Sequence, residues 1–176
     1  MPNNSFLYHG SPYLLDVITP HISGIDDEPL VYATNDYKFA LMYAGRNTDD
    51  LEINQAYYNG VYMLTEILPC MFKDILKRKG YVYTVLADSF MPINDNEFVS
   101  HEAVKPVKTI EIPNVLKALK DEGTVLYRFP NLPPFIKSRT EYAEERCRRF
   151  DVDYREWKNK YVEQYKLWRS LKNDKR

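Results

Sequence analysis

Short stretches of alternating apolar and polar residues, rich in β-branched and aromatic side chains, punctuate the first three quarters of the chain. At 6–9, 30–33, 81–86, 98–100, 109–112 and 125–129 this pattern predicts strands, because successive side chains of a strand face opposite sides of its sheet. Pieces so short and so scattered imply a compact mixed sheet. Two intervening stretches read as helical. One covers 36–44, with Thr34 as the cap that accepts an orphan amide of the first turn and Gly45 as its end. The other covers 61–79, kinked or split at Pro69 and stopped at Gly80.

Beyond Pro133-Pro134 the pattern changes, and neither Gly nor Pro occurs again. That predicts one long helix or two. Ser138 and Glu141 have capping-box spacing, and Phe150, Tyr154, Trp157, Tyr161, Tyr165 and Trp168 recur every three or four residues as one aromatic stripe. A stripe of that size must be covered. The protein's own core is the expected cover, with a homodimer partner or another protein as the competing one. The predicted fold class is α+β, with a sheet-bearing region at 1–134 and an amphipathic helical extension at 135–176.

Composition adds limits. With 176 residues, 44% apolar and 28% charged, the chain has what one ordinary globular domain needs. No apolar run approaches the ~18 residues of a membrane span, and residues 1–5 are polar, so the expectation is a cytoplasmic protein without membrane contact. Cys70 and Cys147 are the only cysteines and read as structural thiols, and no Cys/His grouping has zinc-ligand spacing. No metal is expected. Residues 137–176 hold 13 of the 24 Lys and Arg but only 8 of the 25 Asp and Glu, so the tail is the basic part. Aromatic residues interleaved with cations suit single-stranded nucleic acid, yet Glu144, Glu145, Asp151, Asp153, Glu156 and Glu163 dilute that field, and a solvated amphipathic helix is the simpler reading.

Candidate chemistry lies upstream. Tyr8-His9-Gly10-Ser11 ends the first predicted strand, Val31-Tyr32-Ala33-Thr34 forms the second, and Asn96-Glu97-Phe98-Val99 sets a carboxylate at the start of a later one. In this order the three segments resemble the motifs of the His-Tyr-Glu class of ADP-ribosyltransferases, which includes the poly(ADP-ribose) polymerases and diphtheria toxin. Those polymerases carry a His-Gly-Ser, then an Ile-Tyr-Phe-Ala strand with a second tyrosine eleven residues beyond the first, then an Asn-Glu-Tyr-Ile-Val segment with the catalytic glutamate. Here Tyr43 stands eleven residues after Tyr32.

The resemblance implies an ADP-ribosyltransferase-like split β-sheet core that binds NAD and transfers ADP-ribose to a protein or nucleic-acid acceptor. It implies that His9, Tyr32 and Glu97 are catalytic, and that His9, Gly10, Ser11, Tyr32, Ala40 and Tyr43 bind NAD. In that scheme His9 holds an adenosine-ribose hydroxyl, Gly10 offers backbone groups to the nicotinamide amide, and Tyr32 and Tyr43 sandwich the pyridinium, whose charge suits aromatic faces. Glu97 favours the oxocarbenium character that develops as the nicotinamide–ribose bond breaks. Ala40 departs from the pattern, standing where the polymerases usually have a serine that bonds the amide. Asp95 and Glu102 are nearby alternative carboxylates. Competing functions are NAD glycohydrolysis and a non-catalytic module that binds a nucleotide or a protein. An RNA 2′-phosphotransferase is disfavoured, because Lys38 and Arg46 are the only Lys or Arg residues up to position 51, with His21 the one extra histidine.

Overall fold

Two groups of elements segregate by contact, one built from Met1–Asn47 with Leu76–Glu122 and the other from Thr48–Ile75 with Gly123–Arg176. The computed structural model describes residues 6–22, 27–45 and 52–173. The expected boundary at residue 134 is cut across, because 48–75 and 123–134 group with the C-terminal helices instead of with the first sheet.

The first unit holds β1 (Phe6–Ser11), β2 (Val31–Thr34), α1 (Tyr37–Gly45), β5 (Gly80–Leu86), β6 (Met91–Pro92), β7 (Glu97–Ser100), β8 (Lys108–Ile112) and α2 (Val115–Asp121). Its strands form a six-stranded sheet in the order β6-β7-β2-β1-β5-β8, and every neighbouring pair is antiparallel. Leu7, Val31, Ala33, Tyr83 and Val85 build an apolar core on one face. α1 packs on the other. A Cβ at Gly10 would lie 1.9 Å from the Ala40 carbonyl oxygen and one at Gly80 would lie 2.0 Å from that of Ala44, so two glycines admit the helix backbone to the sheet.

Asp36 caps α1, not Thr34 as expected: Asp36 Oδ1 accepts the Lys38 amide at 2.8 Å and the Asp36 carbonyl accepts that of Ala40. Thr34 Oγ1 instead accepts the Asp36 amide, a turn one step earlier. α2 was not expected; Asn114 caps it by accepting the Lys117 amide, and it buries Val115, Leu116 and Leu119.

The second unit holds β3 (Ile53–Tyr58), β4 (Val61–Glu66), β9 (Val125–Tyr127), α3 (Arg139–Arg149) and α4 (Tyr154–Asn173). The helix expected over 61–79 is overturned. Its first part is β4, paired with β3 through a two-residue turn in which Asn59 (φ 50°) and Gly60 (φ 77°) are both left-handed. Such turns favour Asn-Gly because both central residues need positive φ. β4 is buried on both faces between β3 and the parallel β9, so its residues 62–66 show no alternation to read. Only Phe72–Leu76 is helical, as a single π turn.

Two helices complete the unit. Ser138 Oγ accepts the Glu141 amide, as the capping spacing predicts, and Asp151 (φ 52°) and Asp153, whose carboxylate accepts the Arg155 amide, separate α3 from α4. Trp157 is buried, and Tyr154, Trp157, Tyr161, Tyr165 and Trp168 stack in sequence along α4 with centroids 5.5–6.1 Å apart. Phe129 sets its ring edgewise to Tyr161, Tyr165 and Trp168, so the stripe packs within its own unit. Phe150 stands outside this ladder as the C-cap of α3. Glu66 is buried where the loops meet and accepts the amides of Phe72 and Phe129, each at 2.8 Å.

Candidate functional site

The three strands that carry His9, Tyr32 and Glu97 are neighbours, in the order β7-β2-β1, in the middle of the six-stranded sheet. Thr34 pairs with Tyr8 on one side and with Glu97 on the other, so Tyr8, Thr34 and Glu97 form a row across the three strands. His9 is one residue off that row and two strands from Glu97, which at ~4.8 Å per strand puts the two backbones roughly 10 Å apart. The ladder between β1 and β2 consists of the single pair Tyr8↔Thr34. By contrast β1 pairs with β5 along its whole length and β2 with β7 along all four residues. The sheet is therefore slit where the motif residues meet.

A side chain spans the slit. His9 Nδ1–H donates to the Tyr32 carbonyl at 2.7 Å, which fixes the tautomer and leaves Nε2 as the acceptor side of a neutral ring. Burial pushes the His9 pKa down; the bond to Tyr32 opposes this and the neighbouring His21 adds to it. The imidazole tilts against Tyr83, with centroids 6.0 Å apart. Tyr83 escaped sequence reasoning, yet its hydroxyl donates to the Tyr13 carbonyl and accepts the Leu15 amide, pinning the loop that follows the His-Gly-Ser segment.

Strand alternation divides the triad. His9 shares the face of Ala33 and Tyr83, whereas Tyr32 and Glu97 share the face of Gly10 and α1, so His9 meets Tyr32 through its backbone, not ring to ring. Glu97 is half-buried at the start of β7. Its carboxylate accepts from Asn94 Nδ2 at 2.6 Å, and Asn94 Oδ1 accepts the amides of Asn96 and Glu97, both at 2.9 Å. Asn35 Nδ2 donates to the Asp95 carbonyl and ties this turn to the end of β2. Neither asparagine was singled out from the sequence; the run Asn94-Asp95-Asn96 was the available signal, since Asn and Asp favour turns that bond their own backbone.

The remaining predicted residues separate. The side of Gly10 that a Cβ would occupy faces α1, and Ala40 is buried at that contact. Ser11 is buried, and its hydroxyl accepts the Tyr13 amide. Tyr43 is half-buried on α1, its ring tilted against Phe39 at 5.5 Å. Of the alternative carboxylates, Asp95 is exposed in the turn, and Glu102 follows the far end of β7, where Ser100 pairs with Val31. Lys38 lies on α1, while Arg46 falls outside the described residues. Among the described residues no group of three His, Cys, Asp or Glu could hold a metal ion, and no helix is long and apolar enough to cross a membrane.

No protein-family model, curated protein or solved structure matches this chain.

Proposed function

We propose that the chain is an NAD-dependent ADP-ribosyltransferase of the His-Tyr-Glu type, its site lying along the slit between β1 and β2. The observation that carries this reading is the adjacency of β7, β2 and β1, which gathers three motifs spread over some ninety residues into one strip of sheet at the place where a ladder stops. A neutral His9, its Nδ1 held by Tyr32, offers Nε2 to a hydroxyl of the adenosine ribose. Tyr32 presents an aromatic face from the strand between His9 and Glu97, suited to a pyridinium. Glu97 places a carboxylate where positive character on the ribose would be stabilised more in the transition state than in the ground state. ADP-ribose then passes to an acceptor group on a protein or nucleic acid, or to water in the glycohydrolase variant.

The test is nicotinamide release from NAD by the purified protein, with and without lysate as acceptor, beside Glu97→Gln. Loss of a well-aimed charged group should slow release roughly 10²- to 10³-fold. Dependence on lysate marks transfer, and independence marks hydrolysis. NAD binding without release in either protein would leave a nucleotide-binding module, and neither binding nor release would overturn the reading altogether.

A further inference from the structure

Asn94 holds both ends of a short lock, and the geometry points to it as the residue that positions the Glu97 carboxylate. We infer that its amide fixes Glu97 Oε2 and leaves Oε1 as the oxygen available to a reacting group. This rests on the reading of Glu97 given above.

The argument begins with the orientation of the Asn94 amide. Its Oδ1 accepts two backbone amides, those of Asn96 and Glu97, each at 2.9 Å. A carbonyl oxygen can accept both and an NH2 group neither, so the amide cannot be flipped. Nδ2 must then point outward, and it donates to Glu97 Oε2 at 2.6 Å, a hydrogen bond strengthened by the charge of the carboxylate. The turn is closed independently by the Ile93 amide on the Glu97 carbonyl at 2.9 Å, and Asn35 anchors its tip through the Asp95 carbonyl at 3.0 Å. A glutamate side chain three torsions long would otherwise sample many rotamers at the open end of a strand. Here the donor arrives already oriented by the same turn that starts β7, so the carboxylate is arranged before any ligand binds.

Two variants separate this role from turn formation. Asn94→Asp keeps an oxygen acceptor for the two amides but sets an anionic oxygen where the donor was. Asn94→Ala removes both functions. With wild-type protein and NAD, Asn94→Asp should lower kcat for nicotinamide release by ~10- to 100-fold with KM within about twofold, because misplacement by about an ångström costs rate more than binding. In a Glu97→Gln background the same substitution should cost less than about threefold, since the group it positions is gone. Unchanged kcat in Asn94→Asp, or an equal loss in both backgrounds, would overturn the inference.

A spectroscopic arm stands apart from activity. The side-chain amide protons of Asn94 should resonate downfield of ordinary exposed asparagines and move upfield in Glu97→Gln. If wild-type protein releases no nicotinamide while this signature is present, the proposed function falls and the lock stands. If Asn94 has ordinary amide shifts that ignore Glu97→Gln, the lock falls whatever the activity.

Discussion

Gly10→Ala tests the way α1 is seated against the sheet. The added methyl would meet the Ala40 carbonyl oxygen at 1.9 Å, the Ala44 amide nitrogen at 2.7 Å and the Ala40 carbonyl carbon at 2.9 Å. Real Cβ atoms hardly ever come within 3.0 Å of such neighbours, so the helix must retreat by about 1 Å. All three neighbours are helix backbone and cannot swing aside as a side-chain tip would. Nor can α1 pivot, because one turn on Ala44 rests as closely on Gly80, and at its start Asp36 caps it. Overpacking usually costs ~1–3 kcal/mol when side chains can adjust, and with rigid backbone on the far side the upper end applies. We expect about 3 kcal/mol, a loss of roughly 150-fold in the ratio of folded to unfolded protein. Urea unfolding followed by far-ultraviolet circular dichroism gives the midpoint and slope directly. A loss below ~0.5 kcal/mol with an unchanged slope would refute the close approach.

Three further outcomes follow. Gly60→Ala meets open space but keeps φ near 77°, so backbone strain alone should cost ~1–2 kcal/mol in the same assay; a neutral result would argue against the left-handed turn. Glu66→Gln keeps one acceptor for two buried amides and leaves the other N–H facing an NH2 group, so stability should fall by ~1–3 kcal/mol, measured by thermal unfolding at neutral pH. Burial holds the folded His9 pKa below its ordinary 6.5, so the unfolded chain binds the proton more readily: this part of stability is present above that value and is lost as pH falls below it. Urea midpoints between about pH 5 and 7 should therefore drop toward acid in wild type and flatten in His9→Gln, and parallel slopes in the two proteins would count against the buried imidazole.

How much was legible depended on whether local pattern and environment agreed. β1, β5 and β8 each came within two residues of their true bounds, β1 and β8 through faces that differ in burial, β5 through its β-branched and aromatic run although it is buried almost throughout. β4 lost that signal. Buried on both sides, Tyr62-Met63-Leu64-Thr65 shows a continuous run that periodicity cannot tell from a helix. The informative residues were the Asn59-Gly60 pair before it, whose need for positive φ made a hairpin the better reading. For the helical tail the caps carried the information: Ser138 was readable, whereas Asp153 had to compete with its neighbours and left one helix or two undecided. At the site, Asn35 and Tyr83 bond to residues far away in sequence, which no spacing announces, whereas Asn94 sits in the local run Asn94-Asp95-Asn96 that signals a turn.

The division of the motif residues between two faces of the sheet sharpens what the slit does. In an unbroken sheet His9 and Glu97 would be separated by the backbone layer itself, and one ligand could not reach both. The ladder between β1 and β2 is reduced to one pair, and at the level of His9 and Tyr32 the strands are joined by a side-chain bond. The break is stabilised by a side-chain bond in place of a backbone one, which keeps the Tyr32 carbonyl satisfied at the cost of committing His9 Nδ1. That commitment is what orients Nε2. Replacing His9 should therefore remove the side-chain bond that joins β1 to β2 at this level. His9→Asn, whose Nδ2 sits on Cγ just as Nδ1 does, should keep more stability than His9→Gln, whose amide lies one carbon farther out, and equal stabilities would mean that the bond to Tyr32 does not hold the slit.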